Sequence, residues 1–499
     1  MVPRLPKRRV LLAVIAALTS LAAVVGAVAQ LRLRAPRPAS ELAGAGQPAI
    51  RGPLRPSARN PRYFETPAGE PVVLVGSHTW DNLQDVALPG RPARPFDYDR
   101  YLAFLERNHH NFFRLWRQEE ARWMVEPPGD CAIAPHPWRR TGPDTALDGG
   151  PRFDLAAFDE SYFARLRDRV RRAGDRGIYV AVMLFNGWSI EKHKGTFSAA
   201  NPWRGHPFNR GNNVNGVDGD ANGDDSGEET HTLAVPAVTA VQEAYVRKVV
   251  DTVNDLDNVL YEISNESPPA SVAWQVHMIR FVKNYEAGKP KRHPVGMTSA
   301  WPNGDNAALL ASPADWISPN AGPGDREVDD PPAARGDKVI VADTDHLCGV
   351  CGDAEWVWRS LLRGQNPAFM DPYEGATGID PHIDPSARRW VALRANLGYA
   401  LAYAQRLPLA RMAPRGDLSS TGFCLASPAP DGAYLALVPE GRDVSIDVTA
   451  TPRPLAVEWL ELRSGTVARR SARGGARVDL RAPFAGPAVV YLAPEPPER

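Results

Sequence analysis

Gly177-Ile-Tyr-Val-Ala-Val-Met-Leu-Phe185 is the stretch on which the fold turns. From Ile178 onward nothing in it breaks the apolar run, so neither face of the encoded strand can meet water. A strand buried on both faces belongs to a parallel sheet covered by helices. The flanks supply those helices. Residues 161–173 place Phe163, Leu166 and Val170 on one stripe, and residues 240–256 are amphipathic in the same way.

The same alternation continues in both directions. Upstream, Pro71-Val-Val-Leu-Val-Gly76 reads as a first strand. Residues 96–108 read as a helix capped by Asp97, with Tyr98, Tyr101, Leu102 and Leu105 on one face. Asn111-Phe-Phe-Arg-Leu-Trp116 reads as a second strand. Downstream come a fourth strand, Asn258-Val-Leu-Tyr-Glu-Ile-Ser264, and a helix over 272–285. Short strands follow at Pro294-Val-Gly-Met-Thr298 and Trp316-Ile-Ser318, then a seventh at Lys338-Val-Ile-Val-Ala342 and an eighth at Pro367-Ala-Phe-Met370. A helix over 389–406 closes the series. Such units spread over about 350 residues predict an α/β fold, a (β/α)8 TIM barrel with large loops, over residues 59–410. Beyond it, Ala433-Tyr-Leu-Ala-Leu-Val438, Val444-Ser-Ile-Asp-Val448, Leu455-Ala-Val-Glu-Trp459 and Ala488-Val-Val-Tyr-Leu492 alternate with turn residues. They predict a small all-β sandwich over 411–499.

The chain opens on PRLPKRR at residues 3–9 and an uncharged apolar run at 10–29 that ends in Ala27-Val28-Ala29. This predicts an export signal over residues 1–29 and a secreted or periplasmic protein. An uncleaved membrane anchor is the alternative, because about 20 apolar residues span a bilayer. Residues 30–58, rich in Pro, Arg and Ala, read as a linker. The 58 basic and 58 acidic side chains cancel, so the footprint of a nucleic-acid binder is absent. Cys131, Cys348, Cys351 and Cys424 allow three pairings in an oxidising compartment. Cys348-Gly-Val-Cys351 has redox spacing without a thioredoxin-like context, which favours a structural or free pair, and no second pair follows to suggest zinc.

Barrel enzymes carry their chemistry where the strands end. Those ends hold Ser77-His78-Thr79-Trp80-Asp81, Arg114 with Trp116, Asn186-Gly-Trp188, Asn265-Glu266, Trp301, Asn320, Asp343-Thr-Asp345-His346 and Asp371. Carboxylates, amides and flat rings together suit a polyhydroxylated ligand. Substrate contacts are expected from Arg114, Asn265, His78, Trp80, Asp81, Trp188, Trp301, Asn320, His346 and Asp371. The most specific signal is Tyr261-Glu-Ile-Ser-Asn265-Glu266. Glycosidic cleavage needs one carboxylic acid to protonate the departing oxygen and a second carboxylate to meet the anomeric carbon. Glu266 fits the first role, and Asn265 beside it can hold a sugar 2-hydroxyl.

At these residues the chain resembles the clan of retaining (β/α)8 glycosidases that includes cellulase-type enzymes. Arg114, Asn265 and Glu266 match that clan's pattern, which implies that Arg114 fixes the nucleophile. The segment Arg62-Tyr-Phe-Glu-Thr-Pro-Ala-Gly-Glu-Pro-Val-Val-Leu-Val-Gly-Ser-His-Thr-Trp80 is similar to the apiosidase-like group. Val457-Glu-Trp-Leu-Glu-Leu-Arg-Ser-Gly465 is similar to a sandwich module of that group named for collagen binding. The resemblance spans residues 59–496. One departure stands out: the clan's strand-seven nucleophile is Glu, and here it is Asp. Val339, Val341, Asp343 and Asp345 share a parity and should point to one side. Asp345 lies furthest along and is the expected nucleophile, with Asp343 second. Retention needs carboxyls about 5–5.5 Å apart and inversion about 6.5–9.5 Å, so the shorter Asp leaves the stereochemistry open.

Asp218-Gly-Asp220-Ala-Asn222-Gly223-Asp224-Asp225-Ser-Gly-Glu-Glu229 follows the calcium-loop pattern. Asp218, Asp220, Asn222, Asp224 and Glu229 are its candidate ligands for a structural Ca2+, although Asp225 occupies the usual apolar position. A solvated acidic loop is the alternative, and catalysis is expected to need no cofactor. Glu119 and Glu120 follow the second strand and compete for a catalytic role. Glu262, opposite in parity to Tyr261, is expected to pair with outer-helix charges, and His109-His110 is expected to be structural. Together these features predict an exported, monomeric glycoside hydrolase acting on a poly- or oligosaccharide by double displacement. The alternatives are a catalytically inactive carbohydrate-binding barrel and a surface adhesin.

Overall fold

In the computed structural model, residues 37–38, 47–87, 95–123, 131–192, 201–322, 326–373, 383–439 and 443–495 are described. The expected export signal lies outside them. The barrel strands are β1 (Gly76–His78), β2 (Phe112–Leu115), β3 (Tyr179–Asn186) and β4 (Val259–Asn265). They continue as β5 (Val295–Thr298), β6 (Trp316–Ser318), β7 (Val339–Asp343) and β8 (Asn366–Met370). All pair in parallel, and β8 closes on β1 through Ala368↔Gly76 and Met370↔His78. The longer helices are α1 (Tyr98–Arg107), α2 (Glu160–Gly174), α3 (Pro236–Val253), α4 (Val272–Glu286), α5 (Ala354–Leu362) and α6 (Arg388–Ala404). Asp97 caps α1 by accepting from Arg100 N, and Asp159 caps α2 by accepting from Ser161 N.

Alternation along each strand sorts the side chains. Phe112, Ala181, Leu260, Trp316, Val339, Val341 and Ala368 fill the barrel interior. Phe113, Val180, Val182, Tyr261 and Ile263 point out into a core shared with Leu105 of α1, Leu166 of α2, Val250 of α3 and Met278 of α4. Gly296 admits the Trp316 ring, because a Cβ there would sit 1.9 Å from it.

Two expectations shift. Pro71–Val72 is not the first barrel strand; it pairs with Phe64–Glu65, which pairs with Arg55–Pro56. Between it and β1, Leu74 N donates to Asn366 Oδ1 and Val75 N to Asn111 Oδ1. Side-chain amides there replace the ladder, so the apolar run does not form one strand. The linker assigned to 30–58 is also partly structural. Leu54 is buried with Phe64 and Leu74 at the barrel floor, and Arg37–Pro38 pairs with Thr466–Val467.

The C-terminal region is antiparallel. Thr466–Ala472, Leu455–Glu461, Ala488–Pro494, Ala433–Val438, Cys424–Ser427 and Ala413–Pro414 lie side by side in that order. Asp443–Asp447 and Arg477–Arg481 form a second, two-stranded sheet. Val444, Ile446, Trp459 and Val490 share a core between the two sheets. Leu425, Leu435, Leu437, Leu460 and Val489 instead share a core with Val357 and Leu361 of α5 and Leu393, Leu397 and Leu401 of α6. Cys348 and Cys351 form a disulfide with a Cα–Cα separation of 5.9 Å. Burial pushes the Cys424 thiol up to about 12. No described helix is long and apolar enough to cross a membrane.

Candidate active site

Arg114 is the inward residue above Phe112 on β2, and its fork organises the barrel mouth. Nε and Nη2 donate to Glu262 at 2.8 and 2.6 Å. Nη2 also donates to Asn265 Oδ1 at 2.7 Å. Nη1 donates to Asp343 Oδ2 at 3.1 Å and to Asp345 Oδ2 at 2.8 Å. Burial opposes the charge of Arg114, but the Glu262, Asp343 and Asp345 carboxylates outweigh it and hold its pKa well above the ordinary value. Five donors in a rigid plane let one residue of β2 serve the ends of both β4 and β7.

Asp343 ends β7 and caps the short helix Thr344–Cys348, its Oδ1 accepting Asp345 N at 3.0 Å. His78 Nε2 lies 3.0 Å from the same oxygen. Burial works against ionisation of Asp343, yet His78 and Arg114 hold it below the usual carboxylate range. Asp345 moves the other way: burial and the Asp343 charge push it up against the pull of Arg114. Two adjacent carboxylates facing one cation separate in this manner. The strand parity assumed for Asp345 does not hold, because regular alternation ends at Asp343. Asp345 reaches Arg114 from the first helical turn instead.

Opposite, at the end of β4, Asn265 Oδ1 takes Arg114 Nη2 and His346 Nε2, the latter at 3.0 Å. His346 Nδ1 lies 2.7 Å from Ser318 Oγ. Burial and the Arg114 charge hold the His346 pKa well below its ordinary value, so the ring is neutral. Nε2 therefore carries the proton and Nδ1 accepts from Ser318. Asn265 Nδ2 is buried with no hydrogen-bond partner among the described residues. Glu266 follows with φ +43°, and its Oε2 accepts from Trp188 Nε1. Trp188 stacks on Trp301 at 5.5 Å between centroids. His78 stacks on Trp116, and Trp80 meets Trp116 edge-on. Asp81 lies in the same loop, 3.5 Å from Thr79 Oγ1.

The side chains of other expected residues are engaged elsewhere. Asn320 spans its own loop, donating to Gly304 O and accepting Gly322 N. Asp371 is sealed in an ion pair with Arg394 of α6. In the acidic loop, Asp220 accepts backbone N–H groups from Gly223, Asp224 and Asp225, while Asp218 and Asn222 accept Asp220 N and Asp224 N. Among the described residues no three His, Cys, Asp or Glu side chains are grouped to hold a metal. Glu262 reverses its expectation. It faces the barrel interior and binds Arg114, while Tyr261 faces outward to Glu286 at 3.1 Å. His110 is structural as expected, with Nε2 3.1 Å from Arg394 O.

Glu119 and Glu120 lie in a second buried polar group. Glu119 Oε1 accepts Asn186 N at 2.8 Å and lies 3.2 Å from His231 Nε2. Neither carboxyl oxygen of Glu120 has a hydrogen-bond partner among the described residues. Burial pushes its pKa up to about 8. Nothing in the sequence singles out His231, which sits in an irregular stretch between β3 and α3.

Fold and site together define a (β/α)8-barrel protein with a braced C-terminal β domain and a carboxylate-lined mouth. The family described as Domain of unknown function (DUF6298) matches residues 99–313. A glycoside hydrolase family 5 protein from Bacteroides vulgatus ATCC 8482 is similar in structure, with a TM-score of 0.56 at 13% identity. That alignment covers 89% of this chain and 94% of the other. A second solved structure, a glycoside hydrolase, aligns with a TM-score of 0.54 at 13% identity, over 89% and 97% of the two chains. Likeness at this identity speaks to the fold. No curated protein matches the chain in sequence.

Proposed function

We propose that the chain is a glycoside hydrolase with Glu266 as general acid/base and Asp345 as nucleophile. The observation that carries this reading is the Arg114 bridge. It ties Asn265, the neighbour of Glu266 at the end of β4, to Asp345 at the end of β7. In this scheme Glu266 protonates the leaving oxygen, Asp345 attacks the anomeric carbon, and Glu266 then activates water. Asn265 Nδ2 is the donor left for a sugar 2-hydroxyl, since Oδ1 is occupied twice. Asp343, already engaged by His78, Arg114 and Asp345 N, serves as a fixed anchor. Trp188 and Trp301 offer flat faces for the sugar. The basic-then-apolar start of the chain supports export.

A hydrolysis screen against a glycan panel, with product anomers read by NMR, tests the reading. Wild-type turnover and a loss of about 10²–10⁴-fold in Glu266→Gln, with substrate binding retained, are the expected results. An inert wild type that still binds glycans would assign the barrel to carbohydrate binding alone.

A further inference from the structure

Behind Glu266 runs a row of buried polar side chains that this chemistry does not use. Ser267, the next residue, is fully buried. Its hydroxyl lies 2.9 Å from His231 Nδ1 and 2.5 Å from the Ser264 hydroxyl. His231 Nε2 faces Glu119 Oε1 at 3.2 Å. Around Glu119 Oε2 stand Arg117 Nη2 at 3.4 Å and His206 Nε2 at 3.6 Å. Arg117 is itself seated over the Tyr245 ring, 4.1 Å from its centroid.

Burial opposes ionisation of Glu119, but Arg117 and the two histidines outweigh it and hold the carboxyl well below its ordinary range. An ionised carboxylate only accepts, so His231 Nε2 donates to it. On the other side of the ring, Nδ1 shares a hydrogen bond with the Ser267 hydroxyl, and Ser267 Oγ shares one with Ser264 Oγ. The order Ser–His–Glu is that of an acyl-transfer triad. Ser267 cannot act as a nucleophile here, because no carbonyl can reach a side chain with 0% exposure. His231 is held flat against Trp274 at 4.4 Å and 8°.

What this chain of bonds holds is the backbone of Glu266. Its φ of +43° lies in the left-handed region, where a residue with a Cβ stays only when its surroundings over-determine it. Ser267 supplies three of those restraints: its hydroxyl meets His231 and Ser264, and its carbonyl accepts Trp301 N at 3.1 Å. Gly187 packs so close that a Cβ there would lie 2.3 Å from Glu266 O. We propose that Glu119, His231 and Ser267 are positioning residues: they clamp the turn after β4 so that the Glu266 carboxyl meets the leaving oxygen. The proposal rests on the reading of Glu266 as acid/base.

The test uses the full chain with Ser267→Ala and, separately, Glu119→Gln. Methyl and dinitrophenyl glycosides of one sugar, taken from the panel, are compared by kcat/KM, which reports the first bond cleavage. A dinitrophenolate leaves without protonation, so only the methyl glycoside needs a placed acid. The expected loss is about 10²-fold on the methyl glycoside and less than about threefold on the dinitrophenyl glycoside. Equal losses on both, or none, would overturn the proposal, since general destabilisation does not discriminate leaving groups. A crystal structure of Ser267→Ala decides independently of turnover. Glu266 leaving the left-handed region or losing Trp188 supports the clamp, and an unmoved Glu266 refutes it. If the wild type hydrolyses nothing, that structure still judges the clamp while the glycosidase reading falls.

Discussion

Arg114 and Glu262 form a doubly bonded ion pair inside the barrel, at 2.8 and 2.6 Å, with both side chains sealed from water. The same guanidinium also serves Asp343 and Asp345, so one cation stands among three carboxylates. Removing it leaves buried charge uncompensated. Arg114→Met should cost about 3–5 kcal/mol in urea unfolding at pH 7. Arg114→Lys should also destabilise, because an ammonium cannot reproduce the planar fork. A Met variant within about 1 kcal/mol of wild type would show that the carboxylates are balanced by something else.

Asp343 and Asp345 should separate stability from turnover. Asp343 is completely buried and accepts from His78, Arg114 and Asp345 N, so Asp343→Asn should lower the melting temperature as well as activity. Asp345 is slightly exposed at the helix start, and its Oδ2 accepts from Arg114. Asp345→Asn should melt close to wild type yet lose turnover. Azide added to Asp345→Ala should restore cleavage of an activated glycoside and give the inverted glycosyl azide, since the small anion fills the nucleophile's place. Rescue in the Asp343 variant instead would exchange the two roles.

The barrel was legible because its strands are apolar without interruption and its helices amphipathic. Glu266 was legible because Asn265-Glu266 follows such a strand. Parity sets Glu262 opposite Tyr261 without saying which of the two faces inward, and only the fold shows Arg114 waiting for Glu262 on the inner side. Strand parity along β7 ends at Asp343, where a side-chain cap turns strand into helix, so it does not extend to Asp345. His231 and Ser267 carry no local pattern, because their bond joins residues 36 apart in sequence.

Glu120 should make stability fall as pH rises. Burial pushes its carboxyl up to about 8, well above the ordinary carboxylate range. A raised carboxyl pKa means the native state holds a proton that the unfolded chain releases. The contribution is fully present below the unfolded value and is lost as pH rises through the folded one. Wild type and Glu120→Gln, unfolded with urea at several pH values across that window, should therefore differ in slope. Wild type should lose stability relative to the variant at up to about 1.4 kcal/mol per pH unit. Parallel curves would show that Glu120 is ionised throughout.

The C-terminal sheets should prove inseparable from the barrel. Leu425, Leu435, Leu437, Leu460 and Val489 pack into one core with α5 and α6. Asn396 of α6 donates to Leu462 O at 2.8 Å, and Arg406 pairs with Glu458 at 2.6 Å. Ending the chain after Leu409 would strip this cover and leave apolar side chains of α5 and α6 facing water as a contiguous patch, which soluble monomers rarely tolerate. The truncated protein should aggregate or lose cooperative unfolding, and the full chain should unfold in one transition because the shared core couples both parts. A domain whose sheet is spent on the barrel is a brace, which counts against a freely presented adhesive module. A soluble truncation with unchanged melting temperature and near-UV circular dichroism would reverse that conclusion.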